Sequence, residues 1–169
     1  MKKLILLILI LNVGTLFSQS KESKLKLNDS WFATTVESEG KPVIVRGRKH
    51  LKNFTDSKQY NDHVEFVWTF NSQTNNGIPT AEENKLMTEI EDALIKSLEH
   101  DLQSILTIVY SHKNRKTWLF YTTSVAEFKK RVSATLLEFK KIPIQVSFNK
   151  DRTWNLYTNT LKKYGLEPR

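Results

Sequence analysis

The sequence predicts an α+β domain in which two helices pack on one face of an antiparallel sheet. After residue 30, segments with apolar residues at every second position alternate with segments whose apolar residues recur every three or four positions. A capping-box sequence precedes each of the two long helical segments. The central segments therefore run strand, helix, strand, strand, helix, strand, between an N-terminal β-hairpin and a C-terminal helix.

The N-terminal hairpin is predicted from two short apolar segments, residues 31–36 and 43–48. Residues 37–42 contain a glycine and a proline, which are typical of a turn. Residues 49–59 are polar and basic and predict a connecting segment. The sequence leaves open whether the hairpin extends the sheet or covers its second face.

The first strand–helix unit has the clearest pattern. Residues 63–70 predict a strand with one apolar face, formed by Val64, Phe66, Trp68 and Phe70. Thr80-Ala-Glu-Glu83 is a capping box, in which the Thr80 hydroxyl accepts from the third helical amide and Glu83 reaches back to the cap. The helix that follows has an apolar stripe at Leu86, Ile90, Leu94, Leu98 and Leu102.

The second unit begins with a hairpin. Residues 105–110 and 118–122 predict two antiparallel strands, and the polar residues 111–116 predict their turn. Ser124-Val-Ala-Glu127 is the second capping box. The apolar stripe of the second helix consists of Val125, Phe128, Val132, Leu136 and Phe139.

A strand and a helix end the domain. Ile142, Ile144, Val146 and Phe148 alternate with polar residues or proline, which predicts a one-sided strand. Asp151 is placed to cap a final helix whose buried face contains Trp154, Tyr157 and Leu161 and whose stop signals are Gly165 and Pro168. The βαββαβ order of the central elements predicts the ferredoxin-like arrangement, with both helices on one face of the sheet.

The N-terminus predicts export. Lys2 and Lys3 precede an apolar run, and small or polar residues follow it, so residues 1–19 are predicted to be a signal peptide. The expected location is periplasmic or extracellular; the alternative is an N-terminally membrane-anchored protein. Residues 20–29 are predicted to be a flexible leader and residues 30–169 a single α+β domain, with no membrane span once the signal is removed.

Composition limits the chemistry and the partners. The chain has no cysteine, which excludes disulfides, thiolate nucleophiles and cysteine metal sites. Its formal net charge is +8, or about +6 without Lys2 and Lys3, and a basic protein attracts anionic partners. The basic residues are dispersed, so the charge also fits a protein that is merely kept soluble.

Most of the mature chain, from Trp31 to about Tyr164, resembles a known family. The resemblance is carried by Trp31 and by residues 42–46, 63–66, 77–79, 82–83, 90–92, 118–121 and 151–157. In their order and spacing, the chain resembles the domain of unknown function 695 family, whose activity is not established. The helix entry at residues 77–80 and the closing Trp and Tyr are similar, more distantly, to the regulator of ribonuclease E activity B group. Its members are ferredoxin-like and act by binding a protein; ribonuclease E is cytoplasmic, so that function does not transfer to an exported chain.

Three carboxylates on the first long helix are candidates for acid–base chemistry. Only Glu89 and Asp92 share a helix surface, because neighbouring residues diverge by about 100 degrees. Glu91 and Asp92 lie beside the apolar stripe, which favours an ion pair with Arg46 or Arg48 over catalysis.

The sequence gives little indication of a zinc site, a serine hydrolase or a nucleotide-binding site. The four histidines, His50, His63, His100 and His112, are on separate predicted elements and lack the local spacing of a zinc site. No Gly-x-Ser-x-Gly elbow, P-loop or dinucleotide fingerprint is present. We therefore expect no metal and no cofactor, and for His63 we favour a strand histidine with satisfied hydrogen bonds.

Basic and aromatic residues provide the binding candidates. One basic cluster includes Arg46 and Arg48, and a second, at Lys113, Arg115 and Lys116, adjoins Trp118 and Tyr121. Exposed strand aromatics would suggest RNA binding. The RNA-binding strand motif is absent, however, so core packing is the favoured role of these rings and nucleic acid is disfavoured as a partner.

These observations favour a non-catalytic binding or interaction module for a protein or anionic partner. The candidate binding residues are Arg46, Arg48, His63, Glu91, Asp92, Trp118 and Tyr121. The alternative is an envelope hydrolase whose site is assembled from distant carboxylates and histidines. Convergence of Glu91 or Asp92 with His63 and an arginine in an open pocket would favour the hydrolase. The sequence does not specify an oligomeric state.

Overall fold

The computed structural model describes residues 25–71, 76–139 and 142–163. The predicted signal peptide, residues 20–24 of the predicted leader, and the predicted helix stop at Gly165 and Pro168 lie outside the described residues.

The described residues form a mixed α+β domain with six strands and four helices. The strands are β1 (Trp31–Ser38), β2 (Lys41–Arg48), β3 (Asp62–Thr69), β4 (Ser104–His112), β5 (Arg115–Thr122) and β6 (Ile144–Lys150). The helices are α1 (Lys52–Ser57), α2 (Ala81–Glu99), α3 (Val125–Leu136) and α4 (Asn155–Lys163). All strand pairs are antiparallel, in the order β1-β2-β4-β5-β3-β6. The hairpin therefore extends the sheet, which answers the question left open by the sequence.

Two hydrophobic cores lie on opposite faces of the sheet. The first packs α2 and α3 against the sheet, with Phe66, Trp118 and Phe120 fully buried at its centre. The apolar faces predicted for β3 and for both helices meet there. The second core packs α1 and α4 on the other face, around Phe54, Tyr60, Trp154 and Tyr157.

The predicted caps are present. Thr80 and Glu83 form the reciprocal capping box of α2. At the start of α3 the Ser124 side chain accepts from the amide of Glu127, but the Ser124 amide donates to Thr122 Oγ1 instead of Glu127, so the second capping box is only half formed. Asp151 accepts from the amides of Asn155 and Leu156 at 2.8 and 2.9 Å, which fixes the start of α4. These bonds satisfy amides that a helix N-terminus otherwise leaves unpaired.

Two local predictions are wrong. The connection at residues 49–59 contains α1, because Leu51, Phe54 and Tyr60 are buried in the second core. The turn predicted at 111–116 is only Lys113 and Asn114, both with positive φ, so β4 and β5 extend to either side of it.

Element ends also differ from the prediction. Helix α2 ends at Glu99 and does not include Leu102, whose φ is +61°. Helix α3 ends at Leu136, although Phe139 still packs on the first core. In the predicted leader, Leu25 and Leu27 pack against the second core and Asn28 donates to the Lys49 carbonyl.

Candidate binding groove beside α2

Strands β1 and β2 extend the sheet beyond its helical cover on one face. Neighbouring strands lie about 4.8 Å apart and packed helices about 10 Å apart, so two helices cover roughly four strands. Ala33, Thr35 and Ile44 are accordingly exposed, and Ile44 keeps 41% of its surface accessible. The outer flank of α2 and the uncovered face of β1 and β2 thus form the sides of a groove, which we call the α2 groove.

The α2 groove consists of two clefts that share Arg46, Glu91 and Asp92. The first cleft has a volume of about 650 Å³ and is also lined by Trp31, Asp29, Arg48, Ile95, Lys96 and Glu99. The second cleft has a volume of about 330 Å³ and is also lined by Ile44, Asn84, Thr88, Tyr110, Ser111 and Lys116. Arg46 and its ion-pair partner therefore stand between the two clefts.

Arg48 is a structural residue of the first cleft. It is 4% exposed, and its Nη2 lies 3.0 and 2.9 Å from the two carboxylate oxygens of Glu99. Its Nε donates to the Leu106 carbonyl and its Nη1 to the Asn28 carbonyl. Burial raises the pKa of Glu99, although Arg48 opposes this shift. With its donors used inside the domain, Arg48 fixes β2 to α2.

Arg46 is more accessible. Its Nη2 donates to Glu91 Oε1, and its guanidinium lies 5.1 Å from the centre of the Trp31 ring, while 40% of its side chain stays exposed. Burial lowers the pKa of Arg46, and Asp92 opposes that shift. Arg46 is therefore held in place by two contacts and still faces the groove.

Glu91 connects Arg46 to the first core. It is 4% exposed, and its Oε2 accepts from Trp118 Nε1 at 2.7 Å. The ion pair predicted for Glu91 or Asp92 with Arg46 or Arg48 is thus present as Glu91 with Arg46. Arg48 pairs instead with Glu99, which was not predicted. Asp92 is exposed on the rim.

His63 lies on the opposite face of the sheet from Glu91. Its ring packs edge-on against Tyr121, and its Nδ1 is 3.9 Å from Asp151 Oδ2. Nδ1 is buried and has no hydrogen-bond partner within the described part of the chain, so the expected satisfied histidine is only partly realised. Burial opposes ionisation of Asp151, but hydrogen bonds from Leu156, Tyr121 and Asn155 keep its pKa below the ordinary value.

Both candidate aromatics belong to the cores. Trp118 and Tyr121 are fully buried, in the first and second cores respectively. Tyr121 stacks on Trp154 with 3.9 Å between ring centroids and donates to Asp151 Oδ2 at 2.7 Å. Burial raises the pKa of Tyr121, which therefore stays protonated as a donor.

Lys116 also lines the groove, although the sequence predicted only that it belongs to a basic cluster. It is 7% exposed, and its Nζ lies 5.2 Å from the Trp118 ring centre and 4.0 Å from Glu91 Oε2. Strand alternation could have identified it: Lys116, Trp118 and Phe120 are two residues apart on β5, so all three side chains face the first core.

Across residues 25–71, 76–139 and 142–163, no three His, Asp or Glu side chains are grouped closely enough to hold a metal ion. No helix in these ranges is both long and apolar enough to cross a bilayer.

Fold and groove together define an α+β domain with a three-layer arrangement and a polar groove at one side of the sheet. The chain belongs to the Family of unknown function (DUF695), whose family model matches residues 29–162. This match confirms the resemblance predicted from the sequence. No curated protein and no solved structure matches the chain.

Proposed function

We propose that this protein is a ferredoxin-like, non-catalytic binding module, and that it holds a carboxylate of a polypeptide partner in the α2 groove. The strand order β4-β5-β3-β6, with α2 and α3 as the connecting helices on one face, supports the ferredoxin-like assignment. The similarity to the regulator of ribonuclease E activity B group stays a prediction.

The arrangement of the titratable residues gives no support to the hydrolase alternative. Acid–base catalysis needs its groups within hydrogen-bond reach of one reacting centre. His63 and Glu91 lie on opposite faces of the sheet, and both oxygens of Glu91 already accept hydrogen bonds. These residues do not converge in one pocket.

The proposal is supported mainly by Arg46, whose guanidinium is oriented by two contacts and is still exposed to the groove. A guanidinium binds carboxylates through a planar set of donors, and its affinity is greatest when the fork is already oriented. Glu91 and Trp31 orient Arg46 while much of its side chain faces the groove.

The charges around Arg46 favour a polypeptide over a polyanion. Asp29, Asp92 and Lys96 line the first cleft in addition to the two internal ion pairs, so the cleft carries both signs of charge. Trp31 and Ile95 add apolar surface. Mixed charge with apolar surface is typical of protein interfaces, whereas a polyanion site is strongly positive.

A direct test uses a fluorescein-labelled peptide of alternating Glu and Leu in an anisotropy titration. Replacing Arg46 with Ala removes a charged hydrogen bond of about 1.5–3 kcal/mol, so we expect roughly tenfold or greater weakening. The matched control is Arg152→Ala, which removes the same charge from an exposed turn before α4. Equal weakening by both variants would mean that only net charge matters and would overturn the proposal.

We also propose that the protein is exported and that residues 1–19 are removed. Mass spectrometry of the chain recovered from its native cell envelope measures the new N-terminus. An intact Met1 on the recovered protein would contradict cleavage and would favour the anchored alternative.

A further inference from the structure

The Lys116 side chain is largely buried along the second cleft, while its amine keeps some contact with solvent and forms no hydrogen bond to any residue in the described part of the chain. A lysine ammonium has three donors, and burial of such a group without hydrogen bonds is unfavourable. The nearest anionic atom is Glu91 Oε2 at 4.0 Å, and that atom already accepts from Trp118 at 2.7 Å. Lys116 therefore presents unused donors to the cleft that it lines.

The charges inside the second cleft do not balance. Arg46 and Lys116 are both cationic, and the buried carboxylate between them, Glu91, compensates one of the two. Asp92 also lines this cleft and offsets part of the Arg46 charge, but it is exposed on the rim, where water screens it more than it screens the buried Glu91. The excess positive charge at the buried end is therefore at most one unit, which matches a carboxylate better than a phosphate dianion.

We infer that the second cleft is a binding site for a single carboxylate group, held jointly by the Lys116 ammonium and the Arg46 guanidinium. Ser111 lines the same cleft and provides a hydroxyl group beside the bound carboxylate, whereas the Thr88 hydroxyl already donates to the Asn84 carbonyl at 2.9 Å. This inference rests on the proposed binding function and names the chemical group that the groove accepts.

A carboxylate bound there has a measurable electrostatic signature. Burial, together with the nearby Arg46, lowers the pKa of Lys116 to about 8. A bound anion favours the charged amine and therefore raises this pKa. By linkage, carboxylate affinity is highest below pH 8 and falls as the pH rises through 8, where the free protein loses the Lys116 proton.

The experiment follows the titration of Lys116 by NMR in protein labelled with ¹³C at the lysine Cε. The probe is propionate, and sodium chloride at equal ionic strength is the control for screening. Lys116→Met assigns the resonance, and Lys85→Met, at an exposed position of α2, is the matched variant. We expect a Lys116 midpoint near pH 8 that rises with propionate and stays unchanged in chloride and in Lys85→Met.

The outcomes separate this inference from the proposed function. A midpoint that propionate leaves unchanged overturns the carboxylate site, even where Arg46→Ala still weakens the Glu/Leu peptide. A larger rise with inorganic phosphate than with propionate overturns the assignment to carboxylate. If Lys116→Met does not fold, Lys116→Arg, which keeps the positive charge, removes the same lysine resonance and assigns it.

Discussion

Replacing Glu91 with Gln should destabilise the protein and strengthen carboxylate binding. The amide oxygen can still accept from Trp118 Nε1, but a hydrogen bond to a charged acceptor contributes about 1.5–3 kcal/mol against about 1 kcal/mol for a neutral one. The lost ion pair with Arg46 adds at most about 1 kcal/mol, because Arg46 is 40% exposed. We expect the free energy of unfolding to fall by about 1–2 kcal/mol, measured by urea denaturation followed by far-UV circular dichroism.

Binding should change in the opposite direction, because the substitution removes a negative charge from beside the proposed carboxylate site while the Trp31 ring, 5.1 Å from the Arg46 guanidinium, still orients that residue. A propionate titration at pH 6.5 keeps Lys116 protonated, since its pKa is about 8. Glu89→Gln, which neutralises an exposed carboxylate of the same helix, is the control and should change stability by less than about 0.5 kcal/mol. Unchanged stability of Glu91→Gln, or weaker propionate binding, would refute the reasoning.

Two further predictions concern packing and pH. Gly47→Ala places a Cβ 2.4 Å from Phe32 Cε1, so the ring must move. We expect the free energy of unfolding to fall by about 1–3 kcal/mol, measured by thermal unfolding. An unchanged melting temperature would show that Phe32 shifts without cost. The pKa of Lys116 is about 8 in the folded protein and about 10.4, the ordinary lysine value, in the unfolded chain. Between these two pH values the unfolded chain binds one more proton at this residue, so the contribution of Lys116 to the free energy of unfolding rises with pH. Urea denaturation at pH 7.5 and 9.5 should show this rise in the wild type and a smaller one in Lys116→Met, and equal slopes would contradict it.

The fold was predictable where local signals and burial agree. Strand β3 carries Val64, Phe66 and Trp68 on one face, and Thr80 and Ser124 mark the starts of the helices that cover this apolar face. Helix α1 gives no such signal, since six residues cannot form a stable helix alone and the burial of Phe54 in the second core depends on tertiary contacts. The position of the hairpin was open because its alternation fits pairing with β4 as well as packing over the sheet.

The candidate site was predictable only in part. Helix geometry identified Glu91 and Asp92 as the carboxylates beside the buried stripe, and Glu91 does pair with Arg46. Arg48 is buried and Arg46 is accessible because Arg48 contacts Glu99 and the Leu106 carbonyl. These contacts form only when β2 pairs with β4. Long-range register of this kind is not encoded in the spacing of any one segment.

The α2 groove exists because the sheet has two more strands than α2 and α3 cover. Apolar side chains on this uncovered face would form an exposed hydrophobic patch that favours aggregation. Ion pairs between β2 and α2 place polar groups there instead. Stability alone explains Arg48, because each of its three side-chain nitrogens donates to a group inside the domain. It does not explain Lys116, because an apolar side chain of similar length would fill the same volume without the cost of burying an ammonium. In the proposed site, a bound carboxylate would add a second anion beside Lys116, whose nearest anionic atom is Glu91 Oε2 at 4.0 Å, and would offset that cost.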